Sequence, residues 1–182
     1  MVFQPQIAPI TIEQLQEHAA LPENADRLFE LIKGEIVEKM PGSTRNSTLA
    51  FNMGFFVQTH CQKNDVPCYV SIADGAYSVN GNVLAPDFAY KQTPMAEEYP
   101  DPVPPLWALE VISPNDKAAE IRKKRLKYIE ADILYWEMYP QSHSIDVYAH
   151  GQPMRTVSVD GILDGGQVLP NFRLLAKDLW GK

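Results

Sequence analysis

The alternation of apolar and polar positions divides the chain into short elements with clear stops. Thr11 followed by Gln14 has the form of a capping box, which predicts a short helix over IEQLQEHAA closed by Leu21-Pro22-Glu23-Asn24. RLFELIKGEIVEKM sets apolar runs on either side of Lys33-Gly34 and stops at Pro41-Gly42, the pattern of a hairpin. From about Ser43 to Lys63 the spacing of Leu49, Met53, Phe56, Val57 and His60 is helical. CYVSIADGAYSV, the turn Asn80-Gly81-Asn82 and VLAPDFAYK predict antiparallel strands, with a Gly-containing hairpin between the last two. KQTPMAEEYPDPVPP, rich in Pro and acids, is expected as a surface excursion of a single domain covering residues 1–182.

Apart from Glu110, every residue from Leu106 to Ile112 is apolar, and turn formers bound the run at Pro104-Pro105 and Ser113-Pro114-Asn115-Asp116. This is the pattern of a strand buried on both faces. Helix caps within Ser113 to Asp116 precede KAAEIRKKRLKYIEA, a predicted helix, and LYWEMY, SIDVYAH and MRTVSV follow as strands before a last short helix in RLLAKDLW. Helices covering a mixed sheet, an α/β or α+β fold, are the expected architecture.

Composition narrows the class. With 45% apolar and 21% charged residues the chain is that of a folded globular protein, and no apolar run is long enough to span a bilayer. MVFQPQIAPI has no basic region followed by an apolar one, and Cys61 and Cys68 are expected as reduced thiols, so a cytoplasmic location is expected. A net charge of −7 argues against a protein that coats nucleic acid through general electrostatics, while leaving room for one local contact. Lys117, Arg122, Lys123, Lys124, Arg125 and Lys127 crowd into the segment after the Glu110 strand, and most are expected on a solvated helix face.

Glu110 is the first candidate for chemistry, because a carboxylate in a doubly buried strand needs a partner, a proton or a metal. Asp87 also interrupts an apolar strand, directly after Pro86, at a place where pairing can break and a side chain can face a cleft. Two carboxylates on adjacent strands are the minimum protein contribution to a Mg²⁺ or Mn²⁺ site. Glu30 in LFELI is a third embedded acid. On a wheel of 100° per residue Lys124 falls near Ile121 and Tyr128, at the border of the apolar arc, from where its ammonium can reach Glu110. A structural alternative stands beside this: a semi-buried Glu110–Lys124 ion pair, with Asp87 capping a strand end.

Other chemistries have less support. His18, His60, His143 and His150 show no ligand spacing, no Gly-x-Ser-x-Gly occurs, and Gly165-Gly166 lacks the lysine and helix of a phosphate loop. Trp107, Tyr135, Trp136 and Tyr139 lie on apolar runs and are expected in the core rather than stacked on bases.

Asp87 in APDFAY, Glu110 in LWALEVISPND and a lysine on the following helix resemble the PD-(D/E)XK nuclease superfamily, and more narrowly its Uma2-type branch, abundant in cyanobacteria. The likeness runs from TIEQL through LFELIKGEIVEKMPG, the Pro-Asp strand, EVISPND and the Lys/Arg helix to YWEMYP. It implies a restriction endonuclease-like core and Mg²⁺-dependent phosphodiester hydrolysis of DNA or RNA, with Asp87 and Glu110 as metal ligands. The superfamily's usual lysine position falls on Ile112 here, and the branch moves that role to the helix, onto Lys124; Glu30 matches the branch's upstream acid and would complete the acidic cluster. The chain departs from the branch at Asn46, where a His is usual after the turn, and at ADILYW, which lacks the branch's Gly and Pro. A catalytically silent binding or regulatory module and a metal-independent hydrolase using two carboxylates are the alternative functions. A homodimer through strand edges near 135–159 is a further expectation.

Overall fold

The computed structural model describes residues 8–181. Thr11 and Gln14 exchange side chain-to-backbone hydrogen bonds, so helix α1 (Ile12–Ala19) opens with the capping box. Strands β1 (Leu28–Ile32) and β2 (Glu35–Lys39) pair antiparallel across Lys33-Gly34, whose φ angles of 55° and 75° are the left-handed pair a two-residue hairpin needs. Helix α2 (Thr44–Asn64) is capped by Ser43 and ends at Asp65 in the left-handed region. Strands β3 (Tyr69–Ile72), β4 (Tyr77–Val79), β5 (Asn82–Leu84), β6 (Phe88–Lys91) and β7 (Trp107–Val111) lead to helix α3 (Ala118–Glu130). After it come β8 (Leu134–Tyr139), β9 (Ser144–Tyr148), β10 (Arg155–Ser158), β11 (Ile162–Gly165), β12 (Leu169–Leu175) and a closing 3-10 turn over Ala176–Trp180.

Two stretches that look like continuous strands are each split between two sheets. β3 and β6 belong to a six-stranded sheet, β10-β9-β8-β7-β6-β3, and β4 and β5 to a four-stranded one, β2-β1-β5-β4. The breaks have local causes: Pro86 has no N–H to give to a ladder, and Ala73 turns at a φ of 62°. In the larger sheet β7 and β8 run parallel, joined through α3, and the other pairs are antiparallel, so the sheet is mixed as expected. β11 and β12 form a separate two-stranded sheet.

The larger sheet is buried on both sides, which is why β7 is nearly all apolar. On one face Trp107, Leu109, Val111 and Trp136 pack against Leu49, Met53 and Val57 of α2 and Phe172 of β12. On the other, Ala89, Ala108 and Tyr135 meet Tyr128 of α3 and Ile32, Val79 and Leu84 of the smaller sheet. Each large apolar side chain so buried contributes roughly 1.5–3 kcal/mol. Trp107, Tyr135 and Trp136 are buried, and Tyr139 is partly buried.

The structure corrects the sequence reading at the two cysteines and sharpens it in two other places. The acid-rich segment after β6 is a surface excursion as expected, and it is anchored at Asp101, which is buried, pairs with the buried Lys91, and accepts the N–H groups of Ala96 and Val103. Cys61 and Cys68 are joined as a disulfide, with Cα atoms 6.0 Å apart, because the chain reverses at Asp65 and brings the start of β3 back to the end of α2. Finally, β8 lies between β7 and β9 in the interior of the sheet, so within residues 135–159 only β10 offers a free edge.

Candidate active site

Register brings the two principal carboxylates together. β6 and β7 pair Phe88 with Leu109 and Ala89 with Ala108, and one further step of the same antiparallel register sets Asp87 opposite Glu110. Asp87 stands at the change of sheet after Pro86, where its Oδ2 accepts the N–H of Val111 at 2.8 Å. Both carboxylates occupy the face that α3 covers. The small Ala89 and Ala108 on that face leave room for Tyr128, whose hydroxyl donates to Glu110 Oε1 at 3.4 Å.

Lys124 points inward from α3, as its place beside Ile121 and Tyr128 predicts. Its ammonium lies 3.2 Å from Glu110 Oε1 and 2.7 Å from Glu30 Oε2. Glu30, 2% exposed, also accepts the N–H of Ala85 on Oε1 at 2.8 Å, so both of its oxygens are engaged. It steadies Lys124 rather than facing open space. A second ammonium, Lys39 at the end of β2, donates to Asp87 Oδ1 at 2.9 Å and to the carbonyl of Ala85 at 2.6 Å.

Burial dominates the electrostatics. It pushes the Glu110 carboxyl up to about 7; Asp87 and Glu30 add to the rise, while Lys124 and Lys39 hold it down. Burial also opposes the charge of Lys124, but Glu110 and Glu30 outweigh it and keep the group well above its ordinary value. The same balance, with Glu110 and Asp87 as the partners, holds Lys39 above its ordinary value. Glu110 is therefore close to its midpoint at neutral pH although two lysines attend it.

A pH dependence follows. The folded chain binds more protons at Glu110 than the unfolded chain between pH 4.5 and about 7. Its contribution to stability is full below that window and is lost as pH rises through it, by at most about 1.4 kcal/mol per pH unit. Denaturant unfolding at pH 5 and pH 7.5, with a chelator present, is expected to show this loss in the parent and a smaller one in Glu110→Gln. Equal changes in the two proteins would contradict it.

A second polar cluster adjoins the first. Glu137 is in parallel register with Glu110, fully buried, and held by Arg125 Nε and Nη2, each at 2.8 Å, and by the Tyr139 hydroxyl at 2.7 Å. Because Arg125 follows Lys124, α3 is fastened to the sheet at two successive residues. Lys123 pairs with Glu35 and Glu120, and Lys127 with Glu130. Of the six basic residues, only Lys117 and Arg122 have no carboxylate partner among the described residues. Asn46 donates to Ser113 Oγ at 2.7 Å, tying the first turn of α2 to the turn after β7.

Sequence reasoning brought forward Glu30, Asp87, Glu110 and Lys124, which the structure gathers, and missed Lys39, Arg125 and Glu137. Glu137 carried a readable signal, an acid inside the apolar run LYWEMY, as Glu110 is inside its own strand. Lys39 carried none, since a lysine ending a hairpin strand is ordinary.

The donor set suits a hard divalent cation in kind. Among the described residues no group of three or more His, Cys, Asp and Glu side chains gathers as a metal cage. Mg²⁺ commonly takes only one or two carboxylates and fills its remaining positions with water and substrate phosphate. Asp87 and Glu110 can supply that pair, and Glu110 Oε2 accepts no hydrogen bond among the described residues.

Comparison with known proteins adds three findings. A family model described as "Uma2: Putative restriction endonuclease" matches residues 15–178. No curated protein matches the chain. Among solved structures, a "putative nuclease belonging to DUF820" from Anabaena variabilis ATCC 29413 superposes with a TM-score of 0.77, at 18% identity, covering 94% of this chain and 98% of that one. At that identity the likeness concerns the fold.

Proposed function

The chain belongs to the Uma2 family of restriction endonuclease-like proteins, since the match spans nearly all of it, and on that premise we propose that it is a Mg²⁺- or Mn²⁺-dependent endonuclease hydrolysing phosphodiester bonds, with DNA as substrate. The observation that carries this is the meeting of Asp87 and Glu110 on adjacent strands, with the Lys124 ammonium 3.2 Å from Glu110.

When bound there, the divalent ion would lower the pKa of a water and offset the charge growing on the phosphate. Asp87 and Glu110 would hold the ion. Lys124, kept in place by Glu30 and kept charged by the acids around it, positions the attacking water or stabilises the developing negative charge. A fixed ammonium in a largely dry site does this without reorganising when the reaction occurs. Tyr128 and the Arg125–Glu137 pair hold α3 so that Lys124 keeps this position. Lys117 and Arg122, at the start of the same helix, are the cations left for backbone phosphates.

Titration with Mn²⁺, followed by calorimetry, tests the ligand assignment. The parent protein is expected to bind the ion, with binding lost in Asp87→Asn and weakened in Glu110→Gln. Unchanged affinity in both variants would overturn the assignment.

A further inference from the structure

We propose that Lys39 is a built-in competitor for the metal, a tethered cation that must leave Asp87 before a divalent ion can bind; this rests on the metal-dependent function proposed above for the same site. Asp87 has two oxygens. Oδ2 is committed to the N–H of Val111, and Oδ1, the oxygen left to face an ion, accepts the Lys39 ammonium at 2.9 Å. The same ammonium donates to the carbonyl of Ala85 at 2.6 Å, so it is seated by two oxygens.

Charge makes this contact matter. An ammonium at that oxygen faces any divalent cation shared with Glu110 across a few ångströms of poorly screened space, where like charges repel strongly. Both cannot hold Asp87 Oδ1 at full strength. Lys124 does not block an ion in this way, because it pairs with Glu30 and with Glu110 Oε1 and leaves Glu110 Oε2 without a hydrogen bond among the described residues, whereas both oxygens of Asp87 are engaged.

The structure also gives Lys39 a way out. It is the last residue of β2, its side chain keeps 18% of its exposure, and the exposed Met40, Pro41 and Gly42 follow it. Swinging the flexible four-carbon stem toward solvent breaks no strand pairing. Lys39 thereby weakens metal binding and steadies Asp87 when metal is scarce, so that the threshold of ion concentration for activity is set partly by this residue.

The test compares parent, Lys39→Met and Lys39→Gln in Mn²⁺ titrations and in thermal melts with chelator and with Mn²⁺. The glutamine keeps a donor for the Ala85 carbonyl without the charge, and serves if the methionine variant does not fold. Removal of the charge is expected to tighten Mn²⁺ binding at least about tenfold, to lower the melting temperature in chelator, and to enlarge the rise on adding Mn²⁺ beyond the parent's. Unchanged or weaker affinity in the variants, with the parent still binding, would overturn the role of Lys39 and leave the metal site standing. Absence of Mn²⁺ binding in the parent and both variants would remove the metal site and this role together. An equal drop in melting temperature with and without Mn²⁺ would make Lys39 a structural residue only, and overturn the proposal.

Discussion

Replacing Lys124 by methionine is expected to slow strand cleavage about 10²–10³-fold, the range seen when one preorganised donor at a developing charge is removed. The same change is expected to cost about 3–5 kcal/mol of stability, because it strips the counter-ion from two buried carboxylates. Glu30 and Glu110 are 2% and 7% exposed, and Lys124 is the cation that touches both. The two effects separate in a double variant. Lys124→Met with Glu30→Gln removes one of the stranded charges and is expected to recover much of the stability but none of the rate. Single-turnover cleavage measured beside denaturant unfolding checks both numbers, and full recovery of cleavage in the double variant would show that Lys124 serves the fold alone.

Lys91→Met is expected to lower stability by about 3–5 kcal/mol with no effect on cleavage per folded molecule. Lys91 is 1% exposed and pairs with Asp101, which in turn gathers the N–H groups of Ala96 and Val103. Removing the ammonium leaves a buried carboxylate with only the N–H groups of Ala96 and Val103 to offset its charge. Lys91→Met with Asp101→Leu removes the stranded charge and is expected to be more stable than Lys91→Met, falling short of the parent by the loop hydrogen bonds that Asp101 made. Equilibrium unfolding of the three proteins at one pH decides this. A cost below about 1 kcal/mol for Lys91→Met would place the pair among exposed ion pairs in strength and contradict its buried geometry.

These two pairs also mark what could and could not be read from the chain. Elements set by neighbours in sequence were legible: the capping box of α1 and the hairpin at Lys33-Gly34 rest on contacts within a few residues, and β7 showed as a short apolar run between turn formers although the residues that bury it lie far along the chain. Lys124 was legible for a similar reason, since helical spacing alone aims it with Ile121 and Tyr128 toward the sheet. Glu30, Asp87 and Glu110 stood out because an acid within an apolar run is costly wherever the run ends up.

The rest depends on partners far along the chain. Pro86 marks a break locally, but nothing local shows that β5 will insert beside β1, pairing Leu31 with Val83, while β6 joins the other sheet. Lys39 reaches Asp87 only because of that change of sheet, and Lys91 is buried only because the acid-rich segment folds back onto β4 through Asp101. A charged residue beside a turn looks exposed until its distant counter-ion is known.

Nicking of supercoiled plasmid tests the central claim most directly, with Mg²⁺ or Mn²⁺, for the parent protein and for Asp87→Ala purified in the same way. Metal-dependent nicking by the parent, abolished by chelator and absent from Asp87→Ala, is the predicted result. Nicking that survives the chelator, or that Asp87→Ala retains in full, would contradict a metal-dependent nuclease site built on Asp87 and Glu110.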